Sequence, residues 1–542
     1  MTDRTTDGSI PRAPGEGGVV GPGRRGHGHP WLTLIAVAFG LMMVGLDNTI
    51  VATANPTIGR HFGASLGGLQ WVTNTYLLAV ATGLITGGKL GDRFGRKRLF
   101  LIGTAGFAVA SLACGLSGSL GQLVAFRAVQ GLFGAMLLPQ TLAILRATFP
   151  AERLAQAVGF WAGASSVAIA SGPIIGGLLV EHVSWQSIFF VNIPVAALSV
   201  AVGSWVISDS KDESSVRGFD IPGVVLLSGG LFSLVWGIIQ AETHGWGSAE
   251  VLSFLVAAAV LLTAFVFRQR RAATPLIPLS LFSSRRFSAG VGLVVAVAFC
   301  LFSVIFYMTL YFQRVHDISP VGAGLRMLAL TAVIGVSAPV GGTIVGRVGP
   351  RLPLTAGFLM IAAGMAGLSQ LHPDSSYLAV GPWFLLMGLA VGMVQTGASQ
   401  AIVGNAPRDK AGIASGIQTT ALQVGAVLGT SILGTVIASR VSAVFTGNLV
   451  SAGVPAATAH QLAPASHGVS QGIVPVVGGA PAAVTQAVTH ASLTSFTTGL
   501  EAAYLLAAAV ALAGAIVAFV LLRSPARLPA AGEVRPEPAA AA

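Results

Sequence analysis

Fourteen apolar runs, each near the roughly 20 residues an α-helix needs to cross hydrocarbon, occupy this chain between Trp31 and Leu522. They fall near 31–57, 68–89, 98–117, 121–143, 156–180, 187–207, 220–240, 251–267, 288–310, 321–345, 353–371, 377–402, 411–436 and 500–522. The chain is 53% hydrophobic and 9% charged, whereas soluble domains carry about 25% charged residues. A water-soluble globular fold is therefore excluded, and the sequence reads as an all-α polytopic membrane protein. Its 70 glycines lie inside the apolar spans, where small residues let helix backbones approach one another.

An even number of spans places both termini on one side, and the basic residues test that count. Of 30 Lys and Arg, 25 fall in segments on the side of the N-terminal tail. Arg60, Arg314, Arg326 and Arg440 fall on the other side, and Arg127 lies within a span. A miscounted helix would invert everything after it and erase this bias, so the rule that basic residues stay inside predicts cytoplasmic termini. The net charge of +11 is thereby a topology signal, and nucleic-acid binding is not needed to explain it.

Residues 1–30 are polar and rich in Gly and Pro, with no apolar core, and read as a cytoplasmic tail without a cleavable signal. The RRGHGH stretch within them reads as solvated tail. Cys114 and Cys300 lie in separate spans, which indicates neither a disulfide framework nor a metal site. Residues 437–499 have one Arg and no acid and are expected to be a long outside loop, with no helix assigned and Pro475 and Pro481 interrupting its apolar part.

Charged side chains at membrane depth are expensive and usually functional. Asp47 stands alone in mid-span, 16 residues beyond Trp31, or roughly 24 Å along a helix. One reading is a structural acid satisfied by neighbouring helices. The other is a group that takes and releases a proton, with Asn48 as its polar neighbour. Arg127, in QLVAFRAVQGLFGAM, is the base inside a span, and Arg127, Gln130, Gly131 and Gly134 share a helix face. An acid and an Arg on two helices would lower each other's desolvation cost. In SGPIIGG, Gly172 and Gly176 form a small-xxx-small pair and Pro173 removes a backbone donor, which predicts a bent, tightly packed helix.

The stretch GKLGDRFGRKR, 88–98, brackets an acid and several bases with Gly88, Gly91 and Gly95 in a short inside loop. Asp92, Arg93 and Arg96, with Gly95 permitting a tight turn, suggest a charge-paired latch between helix ends. A worn copy follows the tenth span: Gly88, Arg93, Gly95 and Lys97 recur as Gly342, Arg347, Gly349 and Arg351, while Gly346 stands for Asp92. Such recurrence marks an internal repeat. Two six-helix halves then correspond if spans seven and eight are an insertion.

With these motifs in hand, the chain resembles the major facilitator superfamily, in its fourteen-helix drug:proton antiporter branch. Residues 88–98 resemble G-x-L-x-D-R-x-G-R-[RK]. LDNTIVATANP, 46–56, resembles the first-span motif L-D-x-T-I-V-N-V-A-L-P, with Asn55 at the place of the usual Leu. Arg127, Gln130 and Gly131 resemble R-x-x-Q-G in the fourth span. Residues 172–177 resemble the antiporter signature G-x-x-x-G-P-x-x-G-G, with Ala168 for its first Gly. WQSIFFVNIP, 185–194, is similar to W-R-x-x-F-x-I-N-x-P, with Gln186 for Arg.

The resemblance implies a major facilitator fold with six, two and six helices, two bundles rocking around a central cavity, and export driven by proton influx. Asp47 would carry the proton and Arg127 would be its partner. Gly88, Asp92, Arg93, Gly95 and Arg96 would form the cytoplasmic latch, and Gly172, Pro173, Gly176 and Gly177 would close the outward leak. The expected parts are a tail at 1–30, a first bundle at 31–207, and a two-helix insertion at 208–287. A second bundle at 288–522 and a tail at 523–542 complete it. Spans nine to thirteen contain no mid-span acid, and span thirteen offers Gln418, Thr419, Thr420 and Gln423. Neutral, zwitterionic or weakly cationic substrates are therefore expected, with Asn48, Asn74, Gln130, Gln418 and Gln423 as cavity candidates.

No cofactor beyond the proton gradient is implied; the partners are the substrate, protons and the bilayer of a bacterial cytoplasmic membrane, and the expected state is a monomer. A nutrient symporter is disfavoured by the SGPIIGG motif. An embedded enzyme is disfavoured by the ten His, which all lie in tails, loops or span edges. A channel would need a filter or pore-lining charges. An exporter dedicated to one endogenous antibiotic or other metabolite remains the alternative.

Overall fold

Apolar helices with no water around them must satisfy their backbone groups internally, and in the computed structural model the described residues are built almost entirely from helices. The structure describes residues 29–210, 220–273, 275–406, 411–477 and 481–522. Both tails and the bases Lys211, Arg217, Arg408 and Lys410 lie outside the described residues. The first helices are α1 (Pro30–Phe62), α2 (Leu66–Phe94), α3 (Arg96–Gly115), α4 (Leu120–Thr148) and α5 (Ala151–His182). A short α6 (Ser187–Phe190) leads into α7 (Asn192–Val206), followed by the pair α8 (Ile221–His244) and α9 (Ala249–Arg271). Then come α10 (Arg285–Leu310), which continues through a π turn at Tyr311–Val315, α11 (Pro320–Val348), α12 (Arg351–Leu368) and α13 (Gly381–Val403). The long α14 (Ala411–Ser451), the short α15 (Ala456–Leu462) and α16 (Ser466–Val469), and the long α17 (Ala482–Leu521) complete the chain.

Serines punctuate these helices: Ser65, Ser119, Ser248, Ser284 and Ser319 each accept a first-turn backbone N–H. Counting Ser187–Val206 as one, thirteen helices among the described residues are long and apolar enough to cross a membrane. Apart from the short α15 and α16, the helix outside that set is α2. It has 29 residues but spends Gln70 and Asn74 on hydrogen bonds to α10 and α14.

Packing repeats itself along the chain. In the first half α1 packs on α5, α2 on α4, and α3 on α4 and α7. In the second half α10 packs on α14, α11 on α13, and α12 on α13 and α17. The two groups meet through α5 against α11 and through α2 against α14, which are equivalent pairs under the same repeat. Helix α8 packs on α9 and lies against both α2 and α14.

Residues 437–499 differ from the expected loop. Helix α14 continues to Ser451 and α17 starts at Ala482. At 1.5 Å per residue each is about 60 Å long, roughly twice the hydrocarbon thickness. Hydropathy falls beyond Val436, but the Ala-rich composition keeps helix propensity high, and Ala is the best helix former. The helix restarts directly after Pro481, which stands at its N-cap in an extended conformation. Between these helices, Val469, Ser470, Gln471 and Gly472 are buried. With its amide turned to satisfy both partners, Gln471 donates to the Ala64 carbonyl (3.0 Å) and accepts from the Leu66 N–H (3.2 Å). Gly472 lies against the Arg314 side chain, so this segment touches both helix groups.

Candidate functional site

Helix α4 can reach α2 because Gly131 has no side chain: a Cβ there would stand 2.5 Å from the Tyr76 carbonyl oxygen. That approach sets Arg127, one turn earlier, against α2, where its Nε donates to the Val72 carbonyl (3.1 Å) and its guanidinium lies over the Tyr76 ring (4.2 Å). The free end of the guanidinium then points at α1. Arg127 Nη1 donates to Asp47 Oδ2 at 2.5 Å, and both side chains are buried, at 1% and 0% exposure.

The other Asp47 oxygen is also held. Its Oδ1 accepts from Gln130 Nε2 (3.0 Å) and from Asn192 Nδ2 (3.3 Å). Gln130 accepts from Arg127 Nη1 (2.6 Å) and donates to Ser111 Oγ (2.6 Å), and Asn192 donates to the same hydroxyl (3.1 Å). Helices α1, α3, α4 and α7 thus converge on one carboxylate. Among the described residues the buried charged side chains are Asp47, Arg127 and Asp220. A paired carboxylate and guanidinium in a dry site are stable together; removing one leaves the other uncompensated, at a cost of about 3–5 kcal/mol.

The SGPIIGG stretch sits beside this site. A Cβ on Gly172 would run into Thr49 of α1, and one on Gly176 would lie 3.0 Å from the Ile50 carbonyl. On the other side of α5, a Cβ on Gly177 would lie 2.5 Å from the Pro320 carbonyl of α11, and Gly324 of α11 presses on the Pro173 carbonyl. Glu181 Oε2 accepts from the Val321 N–H (3.1 Å). The glycines of α5 therefore let one helix touch both halves of the molecule along backbone.

The charged stretch expected to be a loop is instead a compact joint between the last turn of α2 and the first of α3, with Gly95 alone between them. Asp92 Oδ1 accepts from Arg96 Nε (3.0 Å) and Nη2 (2.8 Å), and the Arg93 guanidinium lies 5.2 Å from the Phe94 ring. Gly88 lies against Pro139 of α4, and Gly91 leaves room for the Gln140 side chain. Gly95 adopts φ +109°, a region that favours glycine. The chain beyond α7 folds onto this turn: the Ser210 carbonyl accepts from the Arg96 N–H (3.0 Å) and the Asp209 carboxylate faces Gly95.

The worn copy is built alike. Gly349 has φ +80°, and both turn glycines donate their N–H four residues back, to Gly91 and Val345. Lys97 Nζ donates to the Ser204 carbonyl (2.7 Å), two residues before α7 ends; Arg351 Nε donates to the Phe519 carbonyl (2.7 Å), two residues before α17 ends.

The remaining cavity candidates scatter. Asn74 sits in the α2–α14 seam, donating to Ser431 Oγ (2.9 Å) and accepting from Thr430 Oγ1 (2.8 Å). Gln418 Oε1 accepts from Ser399 Oγ (3.1 Å). Gln423 is buried on α14 with an unpartnered Oε1, and Asn48 Oδ1 is buried without a partner.

Sequence reasoning did not assign Ser111, Tyr76 and Asn192 to the site. Asn192 stood inside the quoted WQSIFFVNIP stretch, which was the available signal; Ser111 and Tyr76 had none. Asp220, the N-cap of α8 at the end of that span, is a buried hub. Its carboxylate caps α8 through the Gly223 N–H (3.0 Å) and receives Arg268 Nε (2.9 Å) and Gln269 Nε2 (2.6 Å) of α9. Burial alone would raise its pKa, but these hydrogen bonds and the Arg268 charge together hold it below the ordinary 3.8.

Comparison with known proteins places these features among transporters. The family model of the Major Facilitator Superfamily matches residues 37–430. The chain is 46% identical over 491 residues to the "Tetracenomycin C resistance and export protein" of Streptomyces glaucescens, covering 91% of each chain. It is 32% identical over 497 residues to the "Multidrug efflux pump LfrA" of Mycolicibacterium smegmatis, covering 91% of this chain and 96% of that one. Among solved structures it resembles an inward-facing, unoccupied bacterial homolog of the human lysosomal transporter Spinster. The TM-score is 0.62 at 17% identity, over 92% of this chain and 99% of that one, a likeness of fold.

Proposed function

The chain belongs to the Major Facilitator Superfamily, and from that membership we propose that it exports small amphipathic molecules across the cytoplasmic membrane in exchange for protons, by alternating access. It is a transport protein rather than an enzyme, and its relatives are named for drug or antibiotic efflux and resistance.

The observation that carries the coupling reading is the buried Asp47–Arg127 pair. With Asp47 ionised the pair is neutral as a whole. A proton on Asp47 would leave the guanidinium without a counter-charge in a dry site, so protonation and the arrangement of α1 against α4 must change together. Substrate leaving the cavity as a proton arrives, and the reverse, is the exchange this linkage supports.

In this reading α2 is the fourteenth span, arranged as six, two and six, and both termini are cytoplasmic, which the distribution of Lys and Arg supports. The α5–α11 and α2–α14 contacts then seal the outer end. One chain holds both bundles and the complete pair, which supports a monomer. The identity with the Streptomyces glaucescens protein, named for a single compound, supports a second reading: a dedicated exporter of one antibiotic-like metabolite.

The test is efflux of a fluorescent dye from cells lacking their own pumps. Export should saturate and stop when an uncoupler collapses the proton gradient. Flux that neither saturates nor responds to the uncoupler would sink the antiport reading.

A further inference from the structure

Two hydrogen bonds tie the far half of α1 to the other bundle, and both come from the π turn that ends α10. Gln313 Nε2 donates to the Thr53 carbonyl (2.9 Å), and Arg314 Nη2 donates to the Pro56 carbonyl (2.7 Å). Asn55 lies between these two clamps. It is 1% exposed, and it is the one side chain among the described residues whose amide nitrogen and oxygen are both buried without a partner. Buried amides are nearly always hydrogen-bonded, and leaving one unmade is costly. Arg314 Nε, on the clamp itself, is likewise buried and unpartnered. Asn48, two helical turns from Asn55 and on the same face of α1, also has an unpartnered oxygen.

We propose that Asn55 is a substrate-specifying residue on the exit side of the transport path, engaging hydroxyl and carbonyl groups of the exported molecule when the bundles part at this end. The assignment rests on the export reading above. When Gln313 and Arg314 let go of α1, the carbonyls of Thr53 and Pro56, still in the α1 ladder, each regain one acceptor position near the Asn55 amide, which offers an NH2 donor group and a carbonyl acceptor of its own. Gln313 and Arg314 add donors opposite. The π turn that carries them is a local departure from α-helix of the kind found at functional sites. A patch made of neutral hydrogen-bonding groups and one guanidinium suits a neutral or weakly acidic compound bearing several hydroxyl and carbonyl groups. It offers nothing to a lipophilic cation that cannot hydrogen-bond.

The test uses purified full-length protein in lipid nanodiscs and two probes, neutral 1,8-dihydroxyanthraquinone and tetraphenylphosphonium, with binding read by tryptophan fluorescence. Asn55→Leu keeps the branched four-heavy-atom shape and removes both polar atoms; an unchanged melting temperature shows that it folds. Loss of one hydrogen bond should weaken anthraquinone binding roughly three- to tenfold, with no change toward tetraphenylphosphonium, and Asn55→Gln should recover part of the loss. Equal weakening toward both probes, no weakening toward either, or no binding of the anthraquinone by wild type would overturn the assignment. Uncoupler-sensitive export of the anthraquinone from cells is the separate readout. Selective binding without such export would overturn the antiport reading and leave the role of Asn55 standing.

Discussion

Arg127 Nη1 meets Asp47 Oδ2 at 2.5 Å in a site where neither side chain reaches solvent. Such a pair is destabilised far more by losing one member than by losing both. Arg127→Ala should therefore lower the melting temperature, by an amount equivalent to about 3–5 kcal/mol, and abolish uphill export. The double variant Asp47→Asn/Arg127→Gln should regain most of the thermal stability and none of the gradient-driven export. Thermal unfolding in nanodiscs and dye efflux measure the two parts separately, and a double variant that still pumps would remove Asp47 from the coupling role.

Gly177 on α5 touches the Pro320 carbonyl of α11, the other bundle. Any side chain there must push the two bundles apart, since backbone cannot yield as a side-chain tip can. Gly177→Val should leave the α1–α5 packing intact and open the sealed end. The expected outcome is uncoupler-independent leakage of dye, with export falling about tenfold or more, a barrier change near 1.4 kcal/mol. Unchanged leakage would show that this contact does not seal the path.

Gly95 and Gly349 both turn with positive φ, at +109° and +80°. An alanine at either position pays strain of order 1–3 kcal/mol, and at Gly95 it also requires the Asp209 carboxylate to swing aside. Gly95→Ala and Gly349→Ala should therefore each lower the melting temperature, read by differential scanning fluorimetry of the purified variants, and an unchanged melting temperature in either would show that its turn accepts a Cβ without strain.

Asp220 has a pKa below its ordinary 3.8: burial opposes this, and the bonds from Arg268, Gln269 and the Gly223 N–H outweigh it. A carboxyl depressed in the fold contributes stability above its unfolded pKa, and that contribution disappears as pH falls through the lower, folded value. The melting temperature should thus drop on acidification below about pH 4, with the α8–α9 pair loosening first. In Asp220→Asn that part of the acid dependence should be absent and the melting temperature at neutral pH reduced; an unchanged acid profile would show that Asp220 does not anchor the hairpin.

The sequence by itself determined the material of the fold. Long apolar runs must be helices in lipid, because no other single segment satisfies its own backbone there. The positions of glycine, proline and serine set where those helices begin, end and touch. It also singled out Asp47 and Arg127, because a charge at membrane depth is conspicuous against apolar neighbours. Only tertiary structure decided that these two meet, and that Ser111 and Asn192, ordinary polar residues in the one-dimensional record, complete the shell around the carboxylate. Hydropathy hid the extensions of α14 and α17, since it reports transfer into lipid and is blind to helix propensity. Asn55 stood out in the sequence as a polar residue at the place of the usual Leu, but its unmet hydrogen bonds exist only once its neighbours are in place.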